Sequence, residues 1–183
     1  MNLRHIGLAM TTTLIAIATV APVLAENAQV PAVAAPKPPA CVAPENRQFD
    51  FWLGDWDVRD PAGKLVGANR ITSLHQGCVL FENYRAGEFS GSSLNAYDAD
   101  RKKWHQTWVD SSGGLLVIEG GRVDGKILLT GETADPGKIG GTIVNRISWQ
   151  PLSDGRVRQL WETSADKGLS WTTSFDGYYT KQK

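Results

Sequence analysis

The chain is poor in the residues that most often carry covalent or metal chemistry. It has two cysteines, Cys41 and Cys78, and three histidines, His5, His75 and His105, among 183 residues. No C-x-x-C pair occurs, so no thioredoxin-like dithiol is encoded. A zinc site needs three or four ligands, and no such group clusters in the sequence. A G-x-S-x-G elbow, a P-loop and a dinucleotide fingerprint are all missing, which removes the best-marked hydrolase and nucleotide-binding readings. Net charge is missing too. Lys+Arg and Asp+Glu both number 19, leaving neither a basic nucleic-acid footprint nor an acidic tail. Nucleic acid is therefore not an expected partner. Beyond the N-terminal segment no apolar run is long enough to span a bilayer as a helix.

That N-terminal segment reads as a targeting signal. Arg4 supplies the positive start, Ile6 to Val20 carries no charge, and Val23-Leu24-Ala25 ends on a small residue. Residues 1–25 are expected to be a secretory signal peptide cleaved after Ala25, giving a periplasmic or secreted product without a membrane span. No Cys follows Ala25 directly, so lipid anchoring is not expected. In an oxidising compartment Cys41 and Cys78 can pair. Such a staple would add ~4 kcal/mol in the chain-entropy model. Residues 26–46 are rich in Pro and Ala and read as an extended linker. The folded domain is expected over 47–183, roughly 137 residues, enough to bury about two thirds of the unfolded surface.

What the sequence has in quantity is Trp, seven, and Gly, 19. Bulky rings and many turns fit a β protein. Alternation with period two dominates the domain. It predicts ten strands near 55–60, 64–75, 78–86, 90–98, 103–110, 114–122, 126–133, 139–149, 156–164 and 170–179. Short Gly-, Asp-, Asn- or Pro-containing breaks divide them, so neighbours should run antiparallel. No long crossover interrupts the series, which favours an up-and-down barrel over a sandwich. Gly120-Gly121 and Gly140-Gly141 would allow the bends that closure needs. Phe49, Phe51, Trp52 and Leu53 are too densely apolar to alternate, and read as a short helical turn plugging one barrel end.

The stretch from Phe49 to Val58, F-D-F-W-L-G-D-W-D-V, is the most specific in the chain. It resembles the opening of a family of exported bacterial proteins that share an F-D-F-W-L-G-x-W-x-V pattern. Further likeness lies in Gly91 to Asp98, Trp104 to Asp110 and Arg158 to Ser164. Gly54-x-Trp56 is also similar to the G-x-W of the first strand of lipocalins, where it follows a 3₁₀ turn and closes the barrel base. The resemblance implies a lipocalin-like, or calycin-type, barrel with Phe51, Trp52, Gly54 and Trp56 in structural roles. It hands over no catalytic residues.

The strand faces locate a candidate site. Alternation puts Trp104, Gln106, Trp108 and Asp110 on one face of the fifth strand. In the eighth and ninth strands it groups Ile143, Asn145, Ile147 and Trp149, and Val157, Gln159, Trp161 and Thr163. If these faces point inward, Gln106, Trp108, Asn145, Gln159 and Trp161 make an apolar interior with a few fixed polar groups, which is what a small-molecule pocket needs. The alternative is a filled core whose carboxamides satisfy the indole N–H groups. Barrels of this strand number leave room for one small ligand.

Ser164 to Trp171 fits the S-x-D-x-G-x-[ST]-W Asp box, similar to the hairpin repeated in sialidase propellers. One copy points to a turn, with Asp166 accepting N–H groups, Gly168 at positive φ and Trp171 packed behind. His75 or His105 could ligate haem, although a surface or core histidine is the ordinary reading; no cofactor and no metal are expected. Asp55 with Asp57, Asp98, Asp110 and Glu162 are the carboxylates that an enzyme acting at the barrel mouth could use. The leading expectation is a binding barrel for a small apolar or amphipathic ligand. The alternatives are such an enzyme, or a solid structural barrel.

Overall fold

The computed structural model describes residues 40–182; the expected signal peptide and most of the expected linker lie outside them. The described chain is an all-β closed barrel of ten antiparallel strands. They are β1 (Gly54–Arg59), β2 (Leu65–Leu74), β3 (Val79–Ala86), β4 (Phe89–Asp98), β5 (Lys103–Asp110), β6 (Leu115–Val123), β7 (Lys126–Ala134), β8 (Thr142–Pro151), β9 (Val157–Ser164) and β10 (Thr172–Lys181). Each pairs with its neighbours in sequence, and β1 pairs with β10 to close the sheet, with Val58 opposite Tyr179. Closure leaves no unpaired strand edge.

All ten expected strands form. The largest displacement is at β8, expected from residue 139 and found from Thr142. Gly140-Gly141 is not a bend within the strand. It finishes the preceding turn, where Gly140 has φ 71 and Gly141 donates its N–H to the carbonyl of Lys138. Gly120 serves a close approach: a Cβ there would lie 2.1 Å from the carbonyl oxygen of Leu128, so the backbones of β6 and β7 come together because it has none.

Before β1 the chain makes two 3₁₀ turns, Pro44–Arg47 and Asp50–Trp52. The second carries Phe49 and Trp52 under one end of the barrel. Their rings stack at 5.0 Å, and Phe49 also meets Trp104 and Trp149 edge-on. Phe49, Trp52 and Trp149 are fully buried. Trp56 sits beside them and donates its indole N–H to the Trp52 carbonyl at 2.8 Å, which fixes the angle at which the turn enters the strand. Phe51 packs against the edge of this cluster. The aromatic turn thus seals the base, as the F-D-F-W-L-G-x-W stretch suggested.

Cys41 and Cys78 are disulfide-bonded across 37 residues and tie the segment before the plug to the turn between β2 and β3. Arg47 reinforces the same junction by donating to the carbonyl of Gly77. The bond holds the plug against the barrel by restricting the unfolded chain. Replacing Cys78 by Ser is expected to cost about 2–4 kcal/mol in urea unfolding under oxidising conditions; an unchanged midpoint would show that the staple holds nothing.

Candidate functional site

Alternation and register together decide what fills the interior. Ser93 faces Glu82 on β3 and Trp108 on β5; Asn95 faces Leu80 and Gln106; Ile147 faces Trp161, and Trp149 faces Gln159. Paired residues share a face, so these side chains all point into the barrel. The content changes along the axis. The base is aromatic and buried. Above it lies a polar layer, and above that the barrel widens into a cavity of about 220 Å³ that opens at the end opposite the plug.

The cavity wall is aromatic. Tyr84, Phe89, Trp108, Trp161 and Phe175 line it, with Leu116 and Ile147 filling between them. Two local features aim these rings. Gly91 lies under Trp108, and a Cβ there would fall 2.1 Å from the indole, so only glycine lets the ring lie flat on the wall. On β10 a register shift between Thr173 and Phe175 leaves one extra residue against β9. This bulge turns Phe175 inward opposite Trp161 and brings Ser174 to the rim as well. Bulges commonly re-aim a side chain at a barrel rim.

The two indoles of the wall are held by hydrogen bonds, one behind the wall and one at the rim. Trp161 donates its indole N–H to Asn145 Oδ1 at 3.0 Å, and Asn145 donates in turn to Thr133 and to the carbonyl of Ile143. Trp108 donates to Asp110 Oδ2 at 3.0 Å. Asp110 also accepts from the Ser112 hydroxyl and from the backbone N–H groups of Ser112 and Gly114. Led by the Ser112 hydroxyl, these donors hold its carboxyl below the usual range.

The floor is a hydrogen-bonded carboxylate. Glu82 is 3% exposed, and it is the one buried residue of acidic or basic type among the described residues. Its Oε1 accepts from Asn69 Nδ2 at 2.7 Å and its Oε2 from Ser93 Oγ at 2.6 Å. The Ser93 hydroxyl itself accepts from Asn95 at 2.8 Å and from Gln106 at 3.3 Å. With both lone pairs used, its proton goes to Glu82. Gln106 also donates to Asn95 Oδ1 at 2.8 Å. On the far side Asn69 Nδ2 lies 3.4 Å from the Tyr179 hydroxyl, which donates to Gln159. On the Ser93 side the donors run towards Glu82, and on the Tyr179 side they run on to Gln159. Burial nevertheless pushes the Glu82 carboxyl up to about 7, only partly offset by the bonds from Ser93 and Asn69. Burial, and then the Glu82 charge, raise the Tyr179 hydroxyl.

Of the residues expected at a site, Gln106, Trp108, Gln159 and Trp161 do line one cavity, on β5 and β9. Asn145 differs: it faces inward but sits behind Trp161 as that ring's acceptor. The idea that all the carboxamides serve indole donors holds for Asn145 alone of the three. Trp104 donates to Gln48, Trp108 to Asp110, and Gln106 and Gln159 belong to the polar floor.

Alternation alone does not mark Glu82 and Asn69 as interior, because their strands carry apolar residues on both faces; their shared parity with Leu80, Tyr84 and Ile71 is the available signal. The other proposed carboxylates lie outside the barrel. Glu162 binds Arg146, Asp55 binds Arg70, Asp57 lies beside Arg59, and Asp98 holds its own turn. His105 also faces outward, against Glu119 and Thr107, and His75 is exposed in a turn, so neither reaches the interior as a haem ligand. Among the described residues no group of three or more His, Cys, Asp or Glu is placed to hold a metal.

The Asp box is a turn at the rim. Asp166 accepts from Ser164, from the Ser170 hydroxyl and from the Ser170 N–H, and these bonds pull its carboxyl down to about 2. Gly168 has φ 89, and Trp171 donates to its carbonyl beneath the Arg146 guanidinium. No protein-family model matches the chain, and no curated protein matches it significantly.

The floor makes stability depend on pH. The folded carboxyl of Glu82 titrates near 7, above its ordinary value of 4.5, so the folded state binds the proton more tightly. Its contribution is full below about pH 4.5 and is lost as pH rises through 7. Relative to Glu82→Gln, the native protein should lose on the order of 2–3 kcal/mol of unfolding free energy between pH 5 and 8. Parallel stability curves for the two proteins would refute a buried, proton-binding Glu82.

Proposed function

We propose that this barrel is an exported binding protein for a small apolar or amphipathic molecule held between the aromatic walls. The observation that carries this reading is the sealed base combined with a cavity at the other end, lined by rings and floored by polar groups. Sites for small ligands have this composition: mostly apolar walls and a few placed polar atoms. At about 220 Å³ the cavity falls below the ~300 Å³ at which drug-sized pockets begin, so its ligand is compact. The ten-stranded closed barrel is compatible with a lipocalin-like binding fold. The disulfide is compatible with an oxidising compartment outside the cytosol.

Catalysis at the mouth is the weaker reading. Asp110 does line the cavity, but the side chain is committed to Trp108, Ser112 and Gly114. A general base needs a lone pair aimed at substrate. Glu162, the other rim candidate, lies outside and is paired with Arg146.

Mass spectrometry of small molecules released from protein purified from its native envelope should find a compact organic compound. Titration with 2-phenylethanol should change the tryptophan fluorescence, and Trp161→Ala should weaken binding about tenfold, ~1.4 kcal/mol. An empty protein whose fluorescence answers to no compact apolar compound would end the carrier reading. Export has its own check: Edman sequencing of envelope protein should begin at Glu26, and an intact Met1 on that protein would overturn cleavage.

A further inference from the structure

The cavity contains an ionisable carboxyl with no basic partner. Its lining includes Glu82 and Asp110, and no Lys, Arg or His. No ion pair among the described residues includes Glu82, although nine are formed elsewhere. A buried carboxylate without a cationic partner is costly, and proteins normally pair it or keep it protonated.

The hydrogen bonds around Glu82 are arranged for the ionised form, since Asn69 and Ser93 both donate to it. A carboxylate has about four lone-pair sites, and these two bonds leave room for further donors. A second observation points the same way. Asn69 Oδ1 is buried and has no donor among the described residues, while the nitrogen of that amide is bound to Glu82. Glu82 thus faces the cavity with acceptor capacity to spare, and Asn69, bonded to it from behind the lining, keeps an unused acceptor of its own.

Resting on the carrier reading above, we propose that the ligand bears a protonated amine which enters first and docks on Glu82, with its apolar part left among Trp108, Trp161 and Phe175. An ammonium group has three donors and no acceptor, which complements this floor. It supplies the missing positive charge, and the rings nearest it add cation–π attraction. Asp110 at the rim contributes a second negative charge along the route in. An anionic ligand would instead face two carboxylates and no donor cation.

The test compares three probes of similar size: phenethylamine, 2-phenylethanol and 3-phenylpropanoate, titrated into the native protein by calorimetry. Phenethylamine should bind at least tenfold more tightly than the alcohol, with the carboxylate weakest. In Glu82→Gln the amine and the alcohol should bind alike. The amine's affinity should also fall by up to tenfold per pH unit below about 7, as Glu82 takes up its proton. The other titratable groups facing the cavity are Tyr84, Tyr179 and Asp110. Both hydroxyls are raised from an already high value and Asp110 is lowered, so none changes charge between pH 5.5 and 8. Alcohol binding as tight as amine binding, or an amine affinity flat across this pH range, would overturn the amine assignment and leave the carrier reading standing. Failure of all three probes to bind would overturn both.

Discussion

The aromatic seal at the base determines how the remaining interior can be used. Phe49, Trp52, Trp56, Trp104 and Trp149 fill that end with rings, each less than 2% exposed. Large side chains there leave no space for a ligand, so any cavity must form at the opposite end. The seal is also what makes the next layer deep. Glu82 is 3% exposed, and its raised carboxyl follows from burial before any other cause. The arrangement has a cost: the indole N–H groups of Trp52 and Trp149 find no acceptor among the described residues. An unsatisfied buried donor costs ~1–3 kcal/mol, while burying one aromatic side chain recovers a comparable amount. The rings therefore hold the seal through packing, and the disulfide keeps the seal in place.

From base to mouth the interior passes from aromatic to polar to aromatic again, and this order separates rigidity from recognition. Residues that hold the walls are themselves tied down: Asn145 behind Trp161, and Asp110 on Trp108 at the rim. The wall rings therefore present faces with their polar atoms already satisfied. Residues of the floor bond to one another, and their donors converge on one carboxylate. Such preorganisation removes ordering cost from binding, because neither the rings nor the carboxamides must be fixed when a ligand arrives.

Most of this fold was readable in the sequence because the signal was repeated. Ten alternating segments with turn residues between them leave few topologies, and the Phe49–Trp56 stretch breaks alternation where a plug forms. Boundaries failed where turn residues are themselves apolar: Ile139 extends the pattern of β8 backwards, yet it is fully exposed in the turn. Trp104 to Asp110 was assigned to the correct face because Trp and Gln alternate there with little ambiguity. Asn145 faces inward as alternation predicts, but alternation gives direction and not depth, so it does not separate a ligand contact from an acceptor behind Trp161. Glu82 was the real omission. In Val79–Ala86 both faces carry apolar residues, Leu80 and Tyr84 on one, Val79 and Phe81 on the other. An isolated glutamate then reads as the solvent side. Only closure of the barrel, with β4 laying Ser93 opposite it, shows the carboxylate to be interior.

That omission is informative in itself. Sequences that fold well agree across levels, and the positions where a local rule is broken tend to be sites of function or strain. A carboxylate at a core position breaks the rule most expensively, because an apolar residue of like size would serve packing better. Gln in its place would accept and donate within the same carboxamide layer without the charge. Nothing in the stability of the barrel calls for an acid there, and the pH dependence it brings is a burden near neutrality. The walls alone would hold an uncharged ring. The acid becomes intelligible under the proposed function, in which a cationic ligand would offset the desolvation that burial imposes.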